Sequence, residues 1–264
     1  MTPGFDTSLM LTCIQSAELA VLLLLTVRLI SERDRSLPAV FLSFCFALWL
    51  FTDLYWVVYD LMRSGMRMPF AANEIGEAAT FLMMAATLNS VACRDTFTAK
   101  KAALPALIFA ACNVALWIAW SGEWVEDIFI GLAFSWLLKS VACSLMTEQV
   151  LTEKERTVPV LLCVSLIASE ALTFIPGNGI KAGAELCGYL ILLAGAVFFA
   201  YVVIRTFRKG SYPGAMLSSS FALLAWTVTG KYMSDGSRYN LFMATELPCL
   251  LLLYLSVKKA VKKA

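Results

Sequence analysis

The residues best placed to do chemistry lie between positions 49 and 87. Asp53 sits inside an apolar, aromatic run, Ala47 to Tyr59, that reads as a membrane-spanning helix. A charge near mid-bilayer costs roughly 2.5–3.5 kcal/mol on insertion scales, so such a residue normally faces a bundle interior that uses it. Trp49, Asp53, Trp56 and Asp60 are spaced four, three and four apart, which places them on one helical face. After a short connector bearing Arg63 and Arg67, Glu74, Glu77, Thr80, Met84 and Thr87 form a polar stripe at three- to four-residue spacing. Two antiparallel helices joined by a short loop pack together, so the two stripes can face each other. Carboxylates walled by indole rings suit a cationic or amine solute, held by charge and by the π-faces of Trp49 and Trp56. The competing account places the aromatics in the interfacial belt and pairs the acids with Arg63 and Arg67.

Two further acids are costly in the same sense. Glu18 lies deep in the first apolar run, close to Gln15 and Ser16, and Glu170 has no neighbouring cation in sequence. Glu74, Glu126, Asp127, Glu185 and Glu246 are expected in first helical turns, where the positive end of the helix dipole accounts for a carboxylate without a functional reading. By that rule Glu74 is structurally explained, although its place on the stripe keeps it among the candidate ligands. The candidate binding set is therefore Asp53, Glu77, Glu170, Trp49, Trp56, Asp60, Glu74 and Glu18.

The elements that must position these residues are transmembrane helices. The chain is 60% hydrophobic and only 15% charged, against about 25% charged for a soluble domain. Nine apolar runs, at about 8–30, 38–62, 74–93, 102–120, 125–146, 158–175, 183–204, 214–231 and 241–257, approach the roughly twenty residues needed to cross a bilayer. Backbone groups in lipid must pair internally, and runs of this length exclude a barrel, so the fold expected is an all-α polytopic bundle forming one membrane-embedded domain over 1–264. The first run carries no positively charged leader and is expected to stay as an uncleaved anchor.

Most of the 21 basic residues fall in alternate connectors and in the Lys258–Ala264 tail, whereas only Arg63, Arg67, Lys181, Lys231 and Arg238 lie on the opposite side. The positive-inside rule then predicts an outer N-terminus and an inner C-terminus. Prolines 38, 105, 159 and 213 are expected to open the even-numbered helices, and Ser90-Val-Ala-Cys93 recurs as Ser140-Val-Ala-Cys143. These marks suggest one leading helix followed by four parallel hairpins, although helix-start preferences alone can place prolines and acids this way.

The absence of histidine removes imidazole metal sites and Ser-His-Asp triads, and no metal or cofactor is expected. The eight cysteines lie in or beside apolar runs, without a CxxC pair. No P-loop, GxSxG or HExxH motif is present. The last run, Leu241–Val257, has no lysine for a retinal Schiff base. Glu170-Ala-Leu-Thr-Phe-Ile-Pro176 resembles part of the glutamate-rich box of undecaprenyl-pyrophosphate phosphatases, but the second glutamate, the serine-rich turn and the arginine motif are missing, so no family is assigned.

Three functions fit these features. The first is a small proton- or cation-coupled carrier or solute-binding permease using Asp53, Glu77 and Glu170. The second is a membrane-embedded sensor or a subunit of a membrane partner protein, without catalysis. The third is an intramembrane lipid-modifying hydrolase with Asp53 paired to Glu77 or Asp60. The lipid bilayer is the common partner, no nucleic acid is expected, and the compact, short-looped chain suggests a bacterial cytoplasmic membrane.

Overall fold

The computed structural model describes residues 7–32, 36–62, 72–92, 97–122, 124–234 and 236–263. Among them are nine helices and no strand: α1 (Thr7–Glu32), α2 (Leu37–Met62), α3 (Ala72–Ala92), α4 (Phe97–Ser121), α5 (Trp124–Thr147), α6 (Thr157–Leu172), α7 (Asn178–Arg208), α8 (Pro213–Tyr232) and α9 (Gly236–Lys263). Seven of these, all but α6 and α8, are long and apolar enough to cross a membrane. Large apolar side chains such as Leu24, Leu132 and Val197 point outward, as lipid contact requires and an aqueous surface of many such groups would not. The architecture fits a multi-pass integral membrane protein.

The two exceptions have different causes. The 16 residues of α6 rise about 24 Å at 1.5 Å each, short of a hydrocarbon core about 30 Å thick. The α8 helix is long enough but rich in serine and threonine, and all but four of its 20 residues are buried. It is enclosed by α3, α5, α7 and α9. Its hydroxyls are satisfied locally, as where Ser218 donates to Gly214 O at 2.7 Å and Thr229 to Ala225 O at 2.9 Å. Two also link helices: Ser219 with Thr206 of α7 at 2.9 Å, and Ser220 with Ser256 of α9 at 3.3 Å.

Consecutive helices pack in the pairs α2/α3, α4/α5, α6/α7 and α8/α9, and α1 lies against α2 and α9. The turn from α7 into α8 shows how sequence fixes one such joint. Gly210 takes φ +60° and Ser211 N donates back to Thr206 O at 3.1 Å, a left-handed ending that glycine adopts without Cβ strain. Pro213 then opens α8, where its missing N–H costs nothing.

Three helix starts differ from the sequence expectation, the first being α7, which begins at Asn178 and so leaves Glu185 beyond its first turn. Pro105 lies inside α4, which begins at Phe97. Glu246 lies well inside α9, which begins at Gly236, and is completely buried. The helix-dipole account of Glu246 therefore fails, and another partner must hold its charge.

Candidate functional site

The close approach of α2 and α3 sets the site's level. Gly76 presents no side chain, and a Cβ there would lie 2.5 Å from Thr52 Oγ1. This contact places Asp53 and Glu77, the residues following Thr52 and Gly76, in one layer. Both line a cavity of about 150 Å³ enclosed by α1, α2, α3, α8 and the start of α9. That volume is below the roughly 300–1,000 Å³ of sites for drug-sized ligands and suits a guest of a few heavy atoms.

Trp49 and Trp56 of α2, Phe81 of α3 and Tyr232 of α8 supply the aromatic part of the lining. Tyr232 continues into an aromatic cluster, its ring centroid 5.2 Å from Trp117 and 6.3 Å from Phe81. The lining therefore combines aromatic rings with polar and charged groups.

One cation of the lining, Lys231, stands among three carboxylates: Asp53 and Glu77 of the lining, and Glu246 behind it. Lys231, from the last turn of α8, is 3.2 Å from Glu246 Oε1 and 3.4 Å from Oε2. Gln15 Nε2 of α1 donates to Glu246 Oε2 at 3.0 Å. Lys231 is also within electrostatic reach of Glu77 and Asp53, and its ammonium stands 5.8 Å from the Trp49 ring centroid. With all four groups ionised, the set carries two more negative than positive charges. Asp53 is 8% exposed, and its Oδ2 has no hydrogen-bond partner among the described residues, nor do Gln15 Oε1 and Asn73 Oδ1. Buried polar atoms are seldom left this way, and here all three belong to residues that line one cavity. Among the described residues, no three acidic or cysteine side chains come close enough together to hold a metal ion.

The structure thus gathers Asp53, Glu77, Trp49 and Trp56 and leaves other candidates outside the cavity lining. Glu74 is buried in the first turn of α3, near Glu77. Glu18 is half-buried on α1, on the side of Cys249 of α9. Glu170 lies on α6 against α7, where Gly188 makes room for its carboxyl. Asp60 falls in the last turn of α2 with its side chain outside the described set, as are Arg63 and Arg67. Lys139 of α5 stacks on Trp136 with its ammonium 3.9 Å from the ring centroid.

Sequence reasoning missed Lys231, Glu246 and Gln15 as site residues. A signal existed for the first: Lys231 follows Thr227 and Thr229 at the end of an otherwise uncharged helix.

The fold and the enclosed charge cluster define a multi-pass membrane protein with a small acidic cavity. No protein-family model matches the chain, and no curated protein or solved structure gives a significant match.

Proposed function

We propose that this protein is a small proton- or cation-coupled carrier or solute-binding permease, and that the Asp53–Glu77 cavity binds its cationic solute from the outer side. The observation that carries this reading is the excess of carboxylates over cations around a cavity walled by Trp49 and Trp56. An uncompensated carboxylate in a low-dielectric site gains most from a cation or a proton, and indole faces favour ammonium groups. Glu74 is close enough to reinforce the negative potential, whereas Glu170 and Glu18 lie away from the cavity lining. The basic connectors and tail favour a cytoplasmic membrane with the N-terminus outside.

The test is thermal unfolding of the purified protein with small amines, inorganic monovalent cations and lipids, followed by uptake into proteoliposomes. A ligand at 100 times its Kd adds about 2.7 kcal/mol to stability. An amine that raises the melting temperature of the parent but not of Asp53→Asn or Glu77→Gln supports the site. Uptake of that amine supports the carrier, binding without uptake points to a sensor, and no amine response removes the reading.

A further inference from the structure

The cavity already holds one alkylammonium group, its own Lys231. A lysine side chain is a primary amine on a flexible four-carbon stem with three rotatable donors. Its seat consists of Glu246 at 3.2 Å, Asp53 and Glu77 within electrostatic reach, and an indole face at 5.8 Å. What seats this group can seat a free molecule of the same chemistry. Glu246 is the only one of the three carboxylates bonded to Lys231, and it is fixed from behind by Gln15. Asp53 Oδ2, by contrast, is buried at the cavity wall without a hydrogen-bond partner among the described residues.

We infer that Lys231 is a tethered competitor for a short primary alkylammonium solute, and that Gln15 and Glu246 form the dock holding it away from Asp53 and Glu77. The inference rests on the cation-binding reading above and adds to it the solute class and a device for exchange. With the dock intact, the lysine stays on Glu246 and the solute takes the other two carboxylates. As the solute leaves, the lysine stem lets the ammonium swing toward Asp53 and Glu77, so the acids need not face the departing ion alone. The swing offsets part of the negative charge that the departing solute uncovers, which lowers the cost of emptying the site.

The experiment measures ethylammonium affinity of the purified protein by calorimetry at constant ionic strength, with potassium as the control cation. Glu246→Gln frees the lysine to occupy Asp53 and Glu77, and should weaken ethylammonium binding about tenfold. Lys231→Met removes the competitor and should tighten binding by at least that factor. The double variant Lys231→Met/Glu246→Gln retains the charge excess of the parent cavity, so it separates competition from net charge and guards against a misfolded single variant. It should also bind more tightly than the parent. Equal or weaker binding by the double variant overturns the role of Lys231 while leaving the cation site standing. Absence of ethylammonium binding in the parent and in both lysine variants removes the site itself.

Discussion

The Lys231–Glu246 pair permits a quantitative test of the buried charge network. At 3.2 Å and an effective dielectric constant of 20, the attraction between unit charges is about 5 kcal/mol. Desolvation offsets much of this, because Glu246 is fully buried and only 12% of the Lys231 side chain is exposed. Glu246→Leu would strand the ammonium and also remove the acceptor of Gln15 Nε2. Breaking a buried pair by one partner costs about 3–5 kcal/mol. Asp53 and Glu77 still attract the lysine, so the lower end, about 3 kcal/mol, is expected for Glu246→Leu. Lys231→Met should cost about 3 kcal/mol as well, since three carboxylates then share the cavity region without a cation. The double variant should lose about 4 kcal/mol rather than about 6, a coupling of about 2 kcal/mol, within the range seen for contacting residues. The assay is reversible unfolding in mixed micelles, run as a full double-mutant cycle. Additive losses, with coupling below about 0.5 kcal/mol, would show that the two side chains do not form the pair described.

Three other outcomes follow from separate parts of the molecule. Asp53→Asn should leave the ligand-free protein as stable as the parent or about 1 kcal/mol more so, because a buried carboxylate with an unbonded Oδ2, in a cluster with excess negative charge, costs more than an amide; a clear fall in melting temperature would show that Asp53 is structurally paired. Gly195→Ala should cost about 1–3 kcal/mol, because its Cβ would overlap the Trp226 indole, whose Nε1 donates to Leu192 O at 2.8 Å; an unchanged melting temperature would contradict the α7/α8 packing. In the connector before α6, the Arg205 guanidinium bonded to Glu155 holds that carboxyl down to about 2, below the ordinary glutamate value of about 4.3. This stabilisation is complete above that ordinary value and is lost as pH falls through about 4 toward 2, with a magnitude on the order of 1 kcal/mol. A stability profile over this window should therefore be flatter for Arg205→Gln than for the parent.

The all-helical bundle and half of the cavity were legible from spacing and composition. Asp53, Trp49 and Trp56 share a face by 3.6-residue periodicity, and the short connector forces α2 and α3 together, so Glu77 follows. The other half was not, because it depends on helices distant in sequence: Gln15 meets Glu246 across 231 positions, and no local pattern encodes that meeting. Glu246 was misplaced for a specific reason. Hydropathy marks where apolar residues begin, near Leu241, whereas α9 begins at Gly236 through a polar turn and a half containing Arg238, Tyr239 and Asn240. Lys231 was counted only as a charge in a topology argument, although its helix end faces the cavity. Glu170 and Glu18 show the converse limit. An intramembrane acid points to a special environment, but sequence cannot distinguish a cavity from a helix–helix seam.

The enclosure of α8 bears on how the chain is assembled during synthesis. Its serines and threonines make it a poor candidate to partition into lipid by itself, since polar side chains there are best accommodated against other helices. Chain order removes the difficulty: α3, α5 and α7 are made before α8, and α9, made after it, closes the remaining side. The eighth helix enters a berth its neighbours have already built, and its place after α3, α5 and α7 is part of what lets so polar a segment reside at the centre of the bundle. A circular permutant that begins with α8 should therefore insert poorly while preserving every native contact on paper.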